Sequence, residues 1–510
     1  MLLALCLLIG ALGALPRLSP PLTYSIADAE PLWFGRSTRF AAAVLAGNAR
    51  RTYQAGHHGV STMWLGALGM GFQRAASLED TRLSLRSSEL RTAFSSARRF
   101  VAIGSVVLLA LTVFLIGRAF TLTTAAWAGV LMALDPWRIS LDRALHPDGM
   151  LIGFVSVCLL AGLVRWHVNG GWSYLLLAAI AGGLAVTTKS PALVMLPPSI
   201  LLLAAVGVWR DRTRRLGQFA LELCTLGALG IGTALLSWPA LLVSPIWTAT
   251  RVIRFAVELG GRDDDPTGRF GGGTLWGEFS NYLISIGFLV SPLVFLGLAL
   301  WAIWILTRPL ERRSAIGLQS LLIIGCALAI VVVMNAGDKH SARYVAPAVS
   351  LFTVVAAIGF DRVAGGLRVA RPVRLGGLAA FGIAQLYLCA AERPYYSTYY
   401  SPLLGGPAAA SDSMLLGRGV GLEPVSEFLN RLPEDPRPSI SAPYFLINSV
   451  RTQTRATVVD TDLNMRTDYR LLYVSARQRG ETPPVGPGVE LVFTVNIGGV
   501  EYARLYRIRY

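Results

Sequence analysis

LDRALHPDGMLIGFVSVCLLAGLVRWHV, residues 141–168, joins two kinds of chemistry in one run. It opens with Asp142, Arg143, His146 and Asp148, then continues without a charge from Gly149 to Val164 and closes at Arg165. A helix needs roughly 20 apolar residues to cross a bilayer, so 147–168 reads as a span whose ionisable groups gather at one mouth. Such groups are costly at a membrane edge and are therefore candidates for function.

The same pattern extends in both directions. The chain has 510 residues, 53% hydrophobic and 15% charged, with its apolar residues in long runs, as in polytopic membrane proteins. Further spans read at about 2–16, 99–119, 121–135, 172–188, 191–209, 218–240, 282–306, 315–335, 344–360 and 375–391, about eleven in all. The composition excludes a soluble fold. The net charge of +16 does not point to nucleic acid, because no basic block marks one face or arm. The five cysteines lie in or at apolar runs without disulfide or zinc spacing. The opening MLLALCLLIGALGALP lacks a basic leader and a clear cleavage site, and reads as a short first span.

Arginines mark every second loop: Arg118; Arg165; Arg210, Arg212, Arg214 and Arg215; Arg308, Arg312 and Arg313; Arg362, Arg368, Arg371 and Arg374. By the positive-inside rule these loops are cytoplasmic. The alternate loops then face outward: a long one at 17–98, LDPWRISLDRALHPDG, the turn at Lys189, residues 241–281 and NAGDKHSAR. STMWLGALGMGF (61–72) is apolar but too short to cross, and is expected to lie in the outer interface. After Glu392 the pattern changes to alternating runs, RLLYVSA, VELVFTVNI and VEYARLYRI, behind a helical EPVSEFLNRL. The expected architecture is an all-α polytopic membrane domain of about eleven transmembrane helices (1–391) followed by a small extracytoplasmic α/β domain (392–510).

On this topology the ionisable residues Asp28, Glu30, His57, His58, Asp142, Arg143, His146, Asp148, Lys189, Asp338, Lys339, His340 and Arg343 fall on the outer side. Of 46 basic residues only Lys189 and Lys339 are lysine. An ammonium is a compact point charge suited to a phosphate, although a lysine at a helix end also snorkels to headgroups. Asp28 and Glu30, in SIADAEPLWFGRSTRF (25–40), read as catalytic carboxylates or as solvated charges. HHG (57–59) makes a poor metal pair, since adjacent side chains diverge in regular structure. GRDDDPTGRFGGG (261–273) lacks the strand and helix of a phosphate loop and reads as a lid. His167 and Arg165 read as inner-interface residues.

Taken in order, AEPLWFGRSTRFAAAVLAGN, TYQAGHHGVSTMWLGALG, LDRALHPDGMLIGF, GGLAVTTKSPALVMLPP, SWPALLVSPIW, DKHSARYVAPAVS and RPYYSTYYSPLLGGPAA resemble the GT-C superfamily of membrane glycosyltransferases, family 39, the protein-mannosyltransferase and aminoarabinose-transferase-like enzymes. The resemblance implies transfer of a sugar from a polyprenyl-phosphate carrier to an acceptor at the extracytoplasmic surface. It implies an Asp-Glu pair in the first outer loop as the source of the base. Here the aligned pair is Ala29-Glu30, with Asp28 one position earlier, so either acid fills the role. His58 stands where relatives often carry proline. The resemblance places Lys189, Lys339 and Arg343 near the donor phosphate, and Arg143, Asp148, Arg36, His57, His146 and Tyr344 in the pocket. With base and leaving group on opposite faces, the expected displacement inverts the anomeric carbon. A divalent cation shared by Asp148 and the first-loop acids is compatible with the sequence but not required by it. The rival readings are a transporter or flippase of a lipid-linked precursor and a non-catalytic relative of the family. The expected partners are the polyprenyl-phosphate sugar donor, an acceptor of unknown class and the lipid bilayer.

Overall fold

The structure, a computed structural model, describes the chain except residues 211–215, 261–274, 337–340, 367–370, 434–436 and 464. The described helices that matter below are α1 (Leu2–Leu18), α2 (Glu30–Leu45), α3 (Val60–Met70), α4 (Ser88–Ala119), α5 (Leu122–Ala133), α6 (Pro136–Arg143), α7 (Pro147–His167), α8 (Trp172–Thr188), α9 (Ala192–Arg210), α10 (Leu216–Ser237), α11 (Pro245–Gly260), α12 (Leu275–Leu289), α13 (Pro292–Thr307), α14 (Ala315–Met334), α15 (Ala346–Gly366) and α16 (Arg371–Ala391). The helices α17 (Leu422–Arg431) and α18 (Ile447–Gln453) accompany the strands β1 (Ser439–Ala442), β2 (Thr457–Asp460), β3 (Tyr469–Tyr473), β4 (Val489–Ile497) and β5 (Val500–Ile508).

The protein is a multi-pass membrane protein with a small sheet after its helical bundle. Among the described residues, six helices are long and apolar enough to cross a membrane, or seven if the bent pair Phe279–Leu289 and Pro292–Thr307 is one span. Length and apolarity thus give six or seven spans among the described residues, against the about eleven expected. Helices do occupy every expected position, but several are short, among them Leu2–Leu18, Leu122–Ala133 and Trp172–Thr188. The run read as one span at 282–306 bends by 112°. Proline at the first position of α13 ends the preceding helix, and the Ser291 side chain caps the new one through the Val294 amide. The span expected at 99–119 starts earlier, at Ser88, where Ser87 caps the helix by accepting from the Leu90 amide. The apolar stretch at 61–72 does form a helix, α3, of 11 residues.

At the centre stands α7, whose apolar stretch is entirely buried in the bundle among α4, α8, α9 and α15. A helix apolar on all sides suits either a bilayer or a protein core, and here the bundle supplies the core. Pro147 starts it, and Asp148 occupies its first turn, where a negative charge suits the helix dipole. The short turn after α7 returns the chain along α8, which ends at Lys189 beside the beginning of α7. This hairpin is what brings Lys189 to Asp148.

After α16 the chain builds a five-stranded sheet in the order β2-β1-β3-β5-β4. The pairs β1–β2 and β1–β3 are parallel, β3–β5 and β4–β5 antiparallel. Gly498 and Gly499, both at positive φ, close the β4–β5 hairpin with the two-residue turn that right-handed strand twist favours. VELVFTVNI and VEYARLYRI are strands as expected and α17 is the expected helix, whereas RLLYVSA is strand only up to Tyr473, its last three residues opening a short helix at Val474–Gln478. A core of its own, including Leu422, Val425, Leu429, Leu471, Tyr473, Tyr502 and Leu505, holds this unit together.

Candidate active site

Three buried ionic clusters underlie the site, and only one of them has charge to offer a ligand. The first is centred on Glu30, which is fully buried at the start of α2. Its carboxylate pairs with Arg98 of α4 at 2.8 Å and also accepts from the Leu145 amide at 2.7 Å and the Ala27 amide at 2.7 Å. Arg98 in turn donates to the carbonyls of Leu22 and Tyr24. Glu30 is therefore a fastener between the first loop, α4 and the start of α7, with its oxygens committed.

The second cluster joins Arg17 of α1 to Asp142 of α6 at 2.8 Å, both fully buried. Arg17 also donates to the carbonyls of Ala133 and Met132, at the end of α5. Next to it, Arg143 holds the carbonyls of Pro16, Ser19 and Pro21 and lies over the Tyr396 ring. Arg143, a sequence candidate, is thus placed on the path of residues 16–21, clear of the third cluster.

The third cluster surrounds Asp148. Lys189 Nζ lies 2.5 Å from its Oδ1, and His146 Nδ1 lies 3.0 Å from its Oδ2. Arg418, from the segment after the bundle, brings its NH1 to 3.8 Å of the same Oδ2. The Lys189 ammonium also stands 4.4 Å from the centre of the Tyr344 ring, over which Arg343 lies at 5.6 Å. Burial draws Lys189 down to about 8, with Asp148 opposing and Arg343 reinforcing the shift. His146 is drawn down to about 4 and His57 to about 2, in both cases chiefly by burial. The nearby charges of Lys189, Arg343 and Arg36 add to the lowering at His57. Among the described residues the cations around Asp148 outnumber its carboxylate neighbours, and His146 Nδ1, Asp148 Oδ2 and Arg418 NH2 are buried without a well-aligned hydrogen bond. Such atoms are costly unless a ligand completes them.

Asp28 faces this cluster from the first loop. Its side chain is 28% exposed, and Arg418 NH2 stands 3.7 Å from its Oδ1. Arg418 therefore lies between Asp28 and Asp148. Its placement comes from the sequence GRGVG (417–421), in which Gly417, Gly419 and Gly421 all have positive φ. The arch is clamped by Tyr473 of β3, whose hydroxyl accepts from the Gly419 amide and donates to the Val420 carbonyl. The Asp28 amide donates to the Arg418 carbonyl at 2.8 Å. A Cβ on Gly419 would stand 2.9 Å from the Ile26 carbonyl, so no larger residue fits that approach. Sequence reasoning missed Arg418. The three alternating glycines around one arginine were the available signal.

The remaining candidates are distributed around this centre. His57 packs edge-on against Phe255 of α11, while His58 turns away to the Val186 carbonyl at 2.6 Å and stacks on Trp238. Arg36 lies over Trp33, whose ring meets His146 edge-on. Lys339 and the glycine-rich stretch 261–273 lie outside the described residues. Among the described residues, no group of three His, Cys, Asp or Glu side chains could hold a metal ion. Asp148 faces cations and Glu30 is taken by Arg98, so these acids do not fit a shared divalent cation, and no step is drawn through one.

With this geometry in place, comparison with known proteins bears on the class. Residues 89–238 match the family model described as dolichyl-phosphate-mannose-protein mannosyltransferase. The structure of ArnT from Cupriavidus metallidurans in the apo state shares the fold, with a TM-score of 0.51 at 14% identity, covering 99% of this chain and 97% of that one. ArnT bound to undecaprenyl phosphate gives 0.48 at 14% identity over 99% and 97%. The apo Archaeoglobus fulgidus oligosaccharyltransferase gives 0.48 at 12% identity, over 91% of this chain and 65% of that one. No curated protein matches the chain. The family match and the ArnT fold agree with the GT-C superfamily resemblance read from the sequence. The protein is a multi-pass membrane protein with the fold of ArnT, and its residues 89–238 match the mannosyltransferase family model.

Proposed function

We propose that the protein transfers a sugar from a polyprenyl-phosphate carrier to an acceptor at the extracytoplasmic face of the membrane, with Asp28 as the base. The carrier class follows the matched family, described by a dolichyl-phosphate sugar donor. The observation that carries the reading is the position of Arg418 between a half-buried carboxylate, Asp28, and the cationic cluster at Asp148.

In this reading the donor's phosphodiester lies against Lys189, Arg343 and Arg418, which stabilise the negative charge that develops on the departing lipid phosphate. Asp28 accepts the proton of the acceptor as its oxygen attacks the anomeric carbon from the opposite side. The new glycosidic bond forms as the sugar–phosphate bond breaks, and the anomeric configuration inverts. Asp148 positions Lys189. The neutral His146, deprotonated at physiological pH by its burial, adds no competing positive charge. Glu30 does not serve as base, because its oxygens are committed to Arg98 and two amides. The sheet unit after Glu392 belongs on the same side as Asp28, since it supplies Arg418.

The test is a vesicle-reconstituted protein supplied with radiolabelled polyprenyl-phosphate sugar and a mixed envelope acceptor fraction. Label on the acceptor supports the proposal. Label that crosses the bilayer on its carrier without transfer overturns it in favour of a flippase.

A further inference from the structure

A cleft of about 440 Å³ opens between α2, the first loop and α18. That volume suits part of a ligand. Four arginines line it: Arg36 and Arg39 of α2, Arg82 and Arg451. Among the described residues none of the four has a carboxylate within 4.0 Å. Of the two acids on the cleft wall, Glu79 is held by Arg51 at 2.6 Å and Asp80 sits exposed at the rim. Arg39 donates to Gln54 and Arg451 to the Val458 carbonyl, which position the guanidinium groups without neutralising them.

The four cations repel one another in two pairs, Arg36 with Arg39 and Arg451 with Arg82. Arg36 is drawn down to about 10 by burial and by Arg39, and Arg451 is drawn down by burial and by Arg82. Gathering like charges in a partly desolvated cleft costs free energy unless an anion shares the space. Guanidinium forks match the oxygens of a phosphate in bidentate fashion.

The cleft also begins beside the proposed base. Pro31, in the first turn of α2, is part of its wall, as are Asn448 and Thr452 of α18. Between those two, Ser449 donates from its hydroxyl to the Asp28 carbonyl at 3.4 Å. A molecule anchored in the cleft therefore has a short path to Asp28.

We propose that this cleft is an anion subsite that holds a phosphate-bearing part of the acceptor while another part of the same molecule presents its nucleophile to Asp28. The assignment to the acceptor rests on the transferase reading above; the anion site itself does not.

The experiment uses the purified full-length chain in detergent, with inorganic phosphate as the probe and the melting temperature as the readout at constant ionic strength. Wild type is expected to show saturable protection. The double variant Arg82→Gln/Arg451→Gln is expected to bind phosphate roughly tenfold or more weakly, the loss expected for charge-assisted hydrogen bonds. Arg82→Lys/Arg451→Lys, which keeps the charge, is expected to retain part of the affinity. Arg82→Gln alone, at an exposed position, guards against misfolding of the double variant. Short-chain phosphatidate run beside inorganic phosphate separates the sources: tighter, arginine-dependent binding of the lipid identifies a headgroup, and equal binding identifies a soluble phosphate. Unchanged phosphate affinity in the glutamine double variant, or equal protection by chloride, overturns the subsite. Because no turnover is involved, failure of sugar transfer and failure of this site are read separately.

Discussion

Arg418 NH1 stands 3.8 Å from Asp148 Oδ2, joining the segment after the bundle to the first turn of its most enclosed helix. The same guanidinium reaches Asp28 at 3.7 Å. Its removal should therefore disturb both partners of the reaction. Arg418→Gln is expected to lower transfer about tenfold or more, the scale of one charge-assisted contact, with little change in melting temperature because the arch is held by backbone contacts to Asp28 and Tyr473. Near-normal turnover of the variant would remove Arg418 from the site.

The two acids of the first loop should separate cleanly. Asp28→Asn keeps the shape and loses proton acceptance, so turnover should fall about 10²–10⁴-fold at nearly unchanged stability. Glu30→Gln leaves Arg98 buried beside a neutral partner. It should lose stability on the order of 3–5 kcal/mol, as when one member of a buried pair is removed. Melts and transfer assays on both variants provide the check, and the opposite pattern would make Glu30 the base.

Donor binding should depend on pH through Lys189. Its ammonium is drawn down to about 8 by burial, so it is charged below that pH and neutral above it. Apparent donor affinity should fall as pH rises through about 8. Lys189→Arg should shift that fall to higher pH, and an unshifted profile would assign it to another group.

Glu423 of α17 gives a second pH effect, on stability. Burial raises its carboxyl from 4.5 to about 7, against the opposing hydrogen bonds and Arg98. The folded chain thus keeps a proton that the unfolded chain has already released. The stabilisation is fully present below pH 4.5 and is lost as pH rises through about 7. Glu423→Gln should flatten the melting temperature between those limits, measured with the Tyr24, Tyr395 and Tyr473 neighbours intact. A variant that keeps the wild-type slope would assign the effect elsewhere.

How much of this was legible in the sequence depended on whether a feature is local. The central span, 147–168, was readable because its uncharged run is long, and the strands near RLLYVSA and VEYARLYRI because their alternation is local. The break before α13 was hidden, because Pro292 lies inside an apolar run that hydropathy alone joins into one span. The lysine at 189 was picked out by composition, and the α7–α8 hairpin explains why it meets Asp148. The surroundings of Asp28 and Glu30 could not be separated from sequence, because the difference lies in Arg98, which reaches Glu30 from another helix. Arg418 was missed for the same reason: its importance arises only when its glycine arch docks on Ile26 and Asp28.

The sheet order ties that docking to the end of the chain. Tyr473, which clamps the arch, lies on β3, and β3 is flanked by β5, the last strand in sequence yet inserted inside the sheet. The clamp on Arg418 thus hangs on a strand held between β1 and residues 500–508. A fault in the pairing of β5 would be felt at Arg418, about eighty residues upstream, through a strand that neither occupies.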